Sequence, residues 1–194
     1  MKVIEHRVNL PKQATITPYA EIDIHVGEHG RLVVKHDLEG KGWDIGRYIH
    51  ESSHEKFFVD IKQNLDVVHY QMIINQFGER LLGIFDVPFP SAYFASQAGI
   101  EFYGRLSEFE LAPMRLVNKY WVDPLSEWDD KMYRRLTYSV GYGAEVILAC
   151  PSLHEKGIAD CDEVWKWMRD THMKDRIEGI VTKHPKEFME VFHG

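Results

Sequence analysis

One stretch, from Glu145 to Phe192, constrains the fold of this chain more than any other part of its sequence. A short apolar run, Glu145-Val-Ile-Leu-Ala-Cys150, lies between Gly143 and Pro151. Its length and its flanking breakers predict a buried strand. A polar loop, His154-Glu-Lys-Gly157-Ile-Ala159, comes next. From Asp160 to His172 the residues Val164, Trp167, Met168 and Thr171 recur at helical spacing, which predicts an amphipathic helix. Arg176 to Lys183 reads as a second strand, and Pro185 to His193 as a closing helix with Phe188, Met189 and Phe192 on one face. A chain that alternates strand, loop, helix, strand and helix must bury its helices on a sheet, so an α/β (α+β) domain is expected.

That order, with Gly157 and Ala159 in the loop, resembles the second half of the GNAT superfamily of acyl-CoA-dependent N-acyltransferases. Their motif Gln/Arg-x-x-Gly-x-Gly/Ala lies between a central strand and a helix, and here His154 stands where Gln or Arg is usual. The resemblance implies that the loop His154, Glu155, Lys156, Gly157, Ile158 and Ala159 binds the CoA pyrophosphate. A helix N-terminus offers unpaired N–H groups and a positive dipole end, glycine lets a phosphate approach the backbone, and Lys156 adds a positive charge. Asp160 with Glu163 also has the spacing of a capping box that would satisfy the same donors internally, which leaves open an ordinary capped helix in another α/β domain. An extended segment ending in Trp121-Val-Asp-Pro124, followed by a helix and the core strand, is similar to the layout of Mom-like phage members of the superfamily. The fold implied over roughly residues 43–194 is a central mixed, mostly antiparallel sheet flanked by helices, GNAT-like, with an N-terminal β-hairpin in front of it.

At 194 residues the chain suits a single domain, 1–194, with 1–40 as the N-terminal hairpin region and 41–194 as the GNAT-like core. A hydrophobic share of 44% beside 27% charged residues is that of a soluble globular protein rather than a disordered one. The net charge of −7 argues against a sequence-independent hold on nucleic acid. No run has the length of a membrane span, and Glu5 and His6 near Met1 break the layout of a signal peptide, so a cytoplasmic location without membrane contact is expected. Cys150 and Cys161 read as reduced, structural thiols.

The clearest alternation lies in Ile16 to Val26, where Ile22, Ile24 and Val26 point one way while Asp23 and His25 point the other. Gly27-Glu-His-Gly30 then predicts a turn, and Arg31 to His36 pairs back as a hairpin. Trp43 opens a helix containing His50-Glu-Ser-Ser-His54. His-Glu-x-x-His on a helix is the zinc-metallopeptidase signature, because residues four apart share a face. In that alternative His50 and His54 bind Zn²⁺, Asp60 supplies the third ligand and Glu51 is the general base. Val67 to Asn75 and Arg80 to Val87 read as a second hairpin around Gln76-Phe-Gly-Glu79. Ser91 to Gly104 reads as a loop, and Ser126 as the N-cap of a helix from Glu127.

Asp60-x-Lys62 resembles the metal-binding arm of a restriction-like nuclease, in which a carboxylate holds Mg²⁺ and the lysine steadies the nucleophile. Nucleotide-binding glycine loops, serine-nucleophile elbows and paired-cysteine zinc sites are absent from the sequence. The leading expectation is an acyltransferase moving an acyl group from a small-molecule donor, acyl-CoA, to an amine acceptor. Glu145 is its candidate base and Tyr142 its candidate acid. The alternatives are the zinc peptidase and a non-catalytic GNAT-like module that forms a homo-oligomer or serves an assembly partner.

Overall fold

The structure is a computed structural model and describes every residue except 38, 111–116, 155–157 and 194. From the N-terminus the elements are β1 (Lys2–Glu5), β2 (Tyr19–Val26), β3 (Leu32–Val34), β4 (Trp43–Asp44), α1 (Ile45–Glu51), β5 (Lys56–Ile61), α2 (Val67–Phe77), β6 (Leu81–Phe85), α3 (Phe89–Gln97), β7 (Gly104–Leu106), β8 (Lys119–Val122), α4 (Asp130–Gly141), β9 (Glu145–Ala149), α5 (Ile158–Asp170), β10 (Gly179–Thr182) and α6 (Pro185–His193). This is a mixed α/β fold with sheet flanked by helices, divided into two compact units, Met1–His6 with Gly104–Gly194, and Arg7–Tyr103. Among the described residues no helix is long and apolar enough to cross a membrane.

In the unit built on Gly104–Gly194, β1 pairs with β10, β10 with β9, β9 with β8 and β8 with β7, all in parallel. Parallel neighbours need a crossover between them, and α4 and α5 supply it. The buried stripe of α5 is Cys161, Val164, Trp165 and Met168 at spacings of three and four, while Trp167 is half-buried and Thr171 exposed. The stripe therefore lies about one residue round the helix from the expected one. The closing helix α6 has its expected bounds, and its buried Phe188 meets Trp165 edge-on at 5.3 Å and Phe192 at 4.5 Å. The α4 helix begins later than expected. Asp129, not Ser126, caps it by accepting the Met132 N–H at 2.8 Å.

In the unit Arg7–Tyr103, β2 pairs with β5 and β5 with β6 in parallel, and the expected hairpin joins β2 to β3 with Ile24 opposite Val34. The expected second hairpin does not form. Val67–Phe77 is the helix α2, capped by Asp66 on the His69 N–H, with Tyr70, Ile73 and Phe77 buried. Those burial intervals of three and four are helical, and the helix is the crossover that makes β5 and β6 parallel. The mostly antiparallel sheet is thereby corrected, because antiparallel pairing is confined to β2–β3 and β3–β4 among the pairs described. Ser91 to Gly104 is also not all loop. Pro88 and Pro90 bracket the start of α3, where a missing backbone N–H costs nothing.

Candidate functional site

The alternation on β2 places Ile22 and Ile24 on one face and Glu21, Asp23 and His25 on the other, and all five are buried. A strand inside a parallel sheet is covered on both faces, so the polar side of the pattern looks inward, not to water. The register sets Asp23 opposite Asp60 of β5. Potential ligand oxygens of Glu21, Asp23 and Asp60 lie within 4.8 Å of one another.

Cations and an amide brace this cluster. Lys62 Nζ donates to Asp23 Oδ1 at 3.0 Å and pairs with Asp60 Oδ2. Asn9 Nδ2 donates to Asp23 Oδ2 at 2.5 Å, and the Asp23 N–H returns a bond to Asn9 Oδ1 at 3.0 Å. Arg7 Nε stands 3.9 Å from Asp23 Oδ2, and the Arg7 N–H donates to Glu21 Oε2 at 2.6 Å. Arg7 has φ 55°, a left-handed conformation that costs an L residue on the order of 1 kcal/mol and is typical of residues held in place by a site.

Three carboxylates so close cannot all ionise at ordinary pH without compensation. Burial first, then the charges of Asp23 and Asp60, push Glu21 well above the usual carboxylate range. Burial and then the nearby Asp86 raise Asp60 to about 7, with Lys62 pulling the other way. Burial would lower the Lys62 ammonium, but Asp60 and Asp23 outweigh it and hold the ammonium above its ordinary value. Asp60 Oδ1 is buried with no hydrogen-bond partner. An all-oxygen donor set with an unsatisfied buried oxygen fits a hard divalent cation such as Mg²⁺, Ca²⁺ or Mn²⁺ and does not fit a site for zinc made of histidine or cysteine.

Beside the cluster, in the same unit, lies a pocket of about 370 Å³ lined in part by Arg7, Asn9, Lys35, His36, Asp37 and Trp43. Arg7 and Asn9 touch Asp23 as well. His36 Nδ1 meets Asp37 Oδ1 at 2.8 Å, a contact that lowers Asp37, and the His36 carbonyl pairs with His25 Nε2 at 3.0 Å. The backbone and the ring of His36 are thus both held at a pocket whose lining carries charges of both signs.

The residues expected to carry function fall elsewhere. Glu145 is exposed at the start of β9 and pairs with Lys119 at 3.3 Å. Tyr142 is exposed at the end of α4, its ring 4.5 Å from Tyr138. His154 Nε2 lies 2.5 Å from Asp123 Oδ1, and Arg105 pairs with the same carboxylate, so His154 has an acidic partner where a pyrophosphate ligand was expected. Glu155, Lys156 and Gly157 lie outside the described residues, while Ile158 and Ala159 begin the α5 backbone.

The zinc reading fails on local geometry. The α1 helix ends at Glu51 and Ser52 is extended, so His50 and His54 do not share a helical face. Glu51 pairs with Arg47 at 2.7 Å, and Arg80 ties down this corner through the carbonyls of Ile49, at 2.7 Å, and His54. Asp60 is a member of the carboxylate cluster instead. Cys150 and Cys161 are free, buried and adjacent in sulfur-to-sulfur contact.

No protein-family model matches the chain, and no curated protein sequence does either. Solved structures do match. A glycerophosphodiester phosphodiesterase from Parabacteroides distasonis superposes with a TM-score of 0.66 at 13% identity, over 99% of this chain and 96% of that one. One from Agrobacterium tumefaciens gives 0.66 at 13% identity over 100% and 99%, and one from Thermotoga maritima 0.57 at 14% over 97% of each. The fold is shared with glycerophosphodiester phosphodiesterases. This overturns the GNAT and Mom-like resemblance, and with it the acyltransferase, the acyl-CoA cosubstrate and the amine acceptor. A strand-loop-helix-strand-helix order is common to many α/β folds, and two small residues in one loop did not discriminate between them.

The sequence reading passed over Arg7, Asn9, Glu21, Asp23 and His36. The available signal was Glu21-x-Asp23-x-His25 within a strand otherwise made of Ala20, Ile22 and Ile24: three ionisable residues on one face of so apolar a run imply a functional interior.

Proposed function

We propose that this chain is a divalent-cation-dependent phosphodiesterase whose centre is the Glu21, Asp23 and Asp60 cluster. The observation that carries this is the buried all-oxygen triad with Lys62 and Arg7 against it, in a fold shared with glycerophosphodiester phosphodiesterases. The parallel pairings and interposed helices of each unit support a TIM-barrel-like reading of the fold, in which sites gather at the C-terminal ends of strands. Asp60 and Lys62 sit at that end of β5.

A cation held by the three carboxylates would supply positive charge for the phosphoryl oxygens and for lowering the pKa of an attacking water. The chain's own residues do the remainder. Arg7, in its braced position, offers a planar fork of donors to a non-bridging phosphoryl oxygen. Lys62 bridges Asp23 and Asp60 and orients their carboxylates. His36, with Asp37 on Nδ1, is placed to transfer a proton at Nε2. Water attacks phosphorus and loses a proton to solvent, the P–O bond to one alcohol breaks as His36 protonates the departing alkoxide, and His36 is reprotonated from solvent, leaving a phosphomonoester and a free alcohol.

The test is hydrolysis of glycerophosphocholine with added Mg²⁺, Ca²⁺ or Mn²⁺, followed by product analysis. A phosphomonoester and an alcohol in equal amounts, abolished by EDTA and reduced by a factor on the order of 10³ in Asp23→Asn, are the expected result. Hydrolysis that survives EDTA, or is equally fast in Asp23→Asn, would sink the proposal.

A further inference from the structure

The helices α2 and α3 carry an apolar surface that neither core packing nor the phosphodiesterase chemistry uses. Val68 is 66% exposed, Phe89 65% and Phe94 58%, and Val67, Met72 and Tyr93 are exposed beside them. No Asp, Glu, Lys or Arg occurs within α2 (VVHYQMIINQF) or α3 (FPSAYFASQ), although such residues make up 27% of the chain. A whole aromatic side chain covers about 150–250 Å², so three half-exposed rings alone present roughly 300 Å². With the aliphatic residues the patch reaches the range of about 300–600 Å² that on single proteins often marks a functional surface.

Its place is informative. The α2 helix starts five residues after Lys62, and α3 starts three residues after Asp86, the carboxylate whose charge is felt at Asp60. Ser91 Oγ in the first turn of α3 donates to the Leu65 carbonyl just before α2 at 2.9 Å, which ties the two helix starts together. The helices thus begin, with Val67, Val68 and Phe89, just beyond the C-terminal ends of β5 and β6, the end of β5 that carries Asp60, and Tyr93 and Phe94, their rings 5.6 Å apart, follow one turn along α3.

We propose that the phosphodiester substrate is an amphiphile, with its polar head at the carboxylate cluster and its apolar chain on the rim of Val67, Val68, Phe89, Tyr93 and Phe94. This rests on the phosphodiesterase reading for its head-group chemistry, while the rim stands on its own exposure. Continuity with the carboxylate end of the strands favours a lipid chain over a second copy of the protein. The absence of charge on both helices, together with the net charge of −7, favours a neutral or zwitterionic amphiphile over an anionic surface.

Lysophosphatidylcholine and glycerophosphocholine share a head group and differ in the acyl chain, so their kcat/KM values form the test. The native chain is expected to favour lysophosphatidylcholine by about tenfold or more, a difference of about 1.4 kcal/mol, and the Phe89→Ser, Phe94→Ser double variant to bring that ratio close to one. Equal values for the native chain, or a preference that the double variant keeps, would overturn the proposal. Co-elution with lysophosphatidylcholine micelles on gel filtration is a second readout independent of hydrolysis. If neither diester is cleaved, the phosphodiesterase reading fails. Micelle binding that the double variant loses would then still support the rim, and no binding would overturn it. Concentration-dependent dimers that the double variant abolishes, without micelle binding, would assign the surface to a second copy instead.

Discussion

Asp60 keeps one carboxylate oxygen against Lys62 and the other buried without a hydrogen-bond partner, and the same burial lifts it to about 7. Its folded-state pKa stands above that of the unfolded chain, near 4, so the folded chain binds the extra proton between those values. Its contribution to stability is therefore fully present below about pH 4 and is lost as pH rises through about 7. Thermal melts of metal-free protein from pH 5 to 8 should show this loss, and Asp60→Asn should flatten it. Cation binding should run the opposite way, weakening as pH falls through about 7 and protons compete for the same oxygens. Lys62 is the counterpart. Replacing it with Met removes the ammonium that Asp23 and Asp60 share, leaving Asp23 with Arg7 at 3.9 Å, and should cost about 3 kcal/mol in urea unfolding, with part of the loss recovered by a saturating divalent cation.

At the scale of elements, the arrangement depends on helices that return each strand to a parallel neighbour. Asp66 caps α2, and Asp66→Ala should destabilise the chain by about 1 kcal/mol, measurable as a lowered urea midpoint with unchanged slope. Gly83 on β6 lies under the Tyr103 ring, with Phe58 also close, so a methyl group there would collide with Tyr103 and crowd Phe58. Gly83→Ala should cost about 1–3 kcal/mol, and a shortened Tyr103 in the same chain should restore part of it. These elements were unevenly legible in the sequence. The β2–β3 hairpin was clear because Gly27 to Gly30 is a strong turn signal between alternating runs. The α2 helix was not. Val67, Val68, Ile73 and Ile74 are β-branched and suggest strands, and only the burial of Tyr70, Ile73 and Phe77 on one face makes the segment helical. Local preference was overruled by the sheet that needed covering.

For the molecule as a whole, the α/β class and the closing β9–α5–β10–α6 order were readable because they rest on long apolar periodicities. Strand direction and the location of the site were not. Parallel pairing is decided by crossovers, and Glu21 and Asp23 look like a solvent-facing alternation until both faces of β2 are known to be buried. At 13% identity the matching structures speak for the fold alone, so the proposed function rests mainly on the carboxylate cluster. The measurement that tests it most directly is a calorimetric titration of metal-free protein with Mg²⁺, Ca²⁺ and Mn²⁺ at pH 8, on the native chain and on Asp23→Asn. The cluster predicts one cation bound per chain, with affinity reduced at least tenfold by the substitution. No saturable binding, or binding that Asp23→Asn leaves intact, would contradict it.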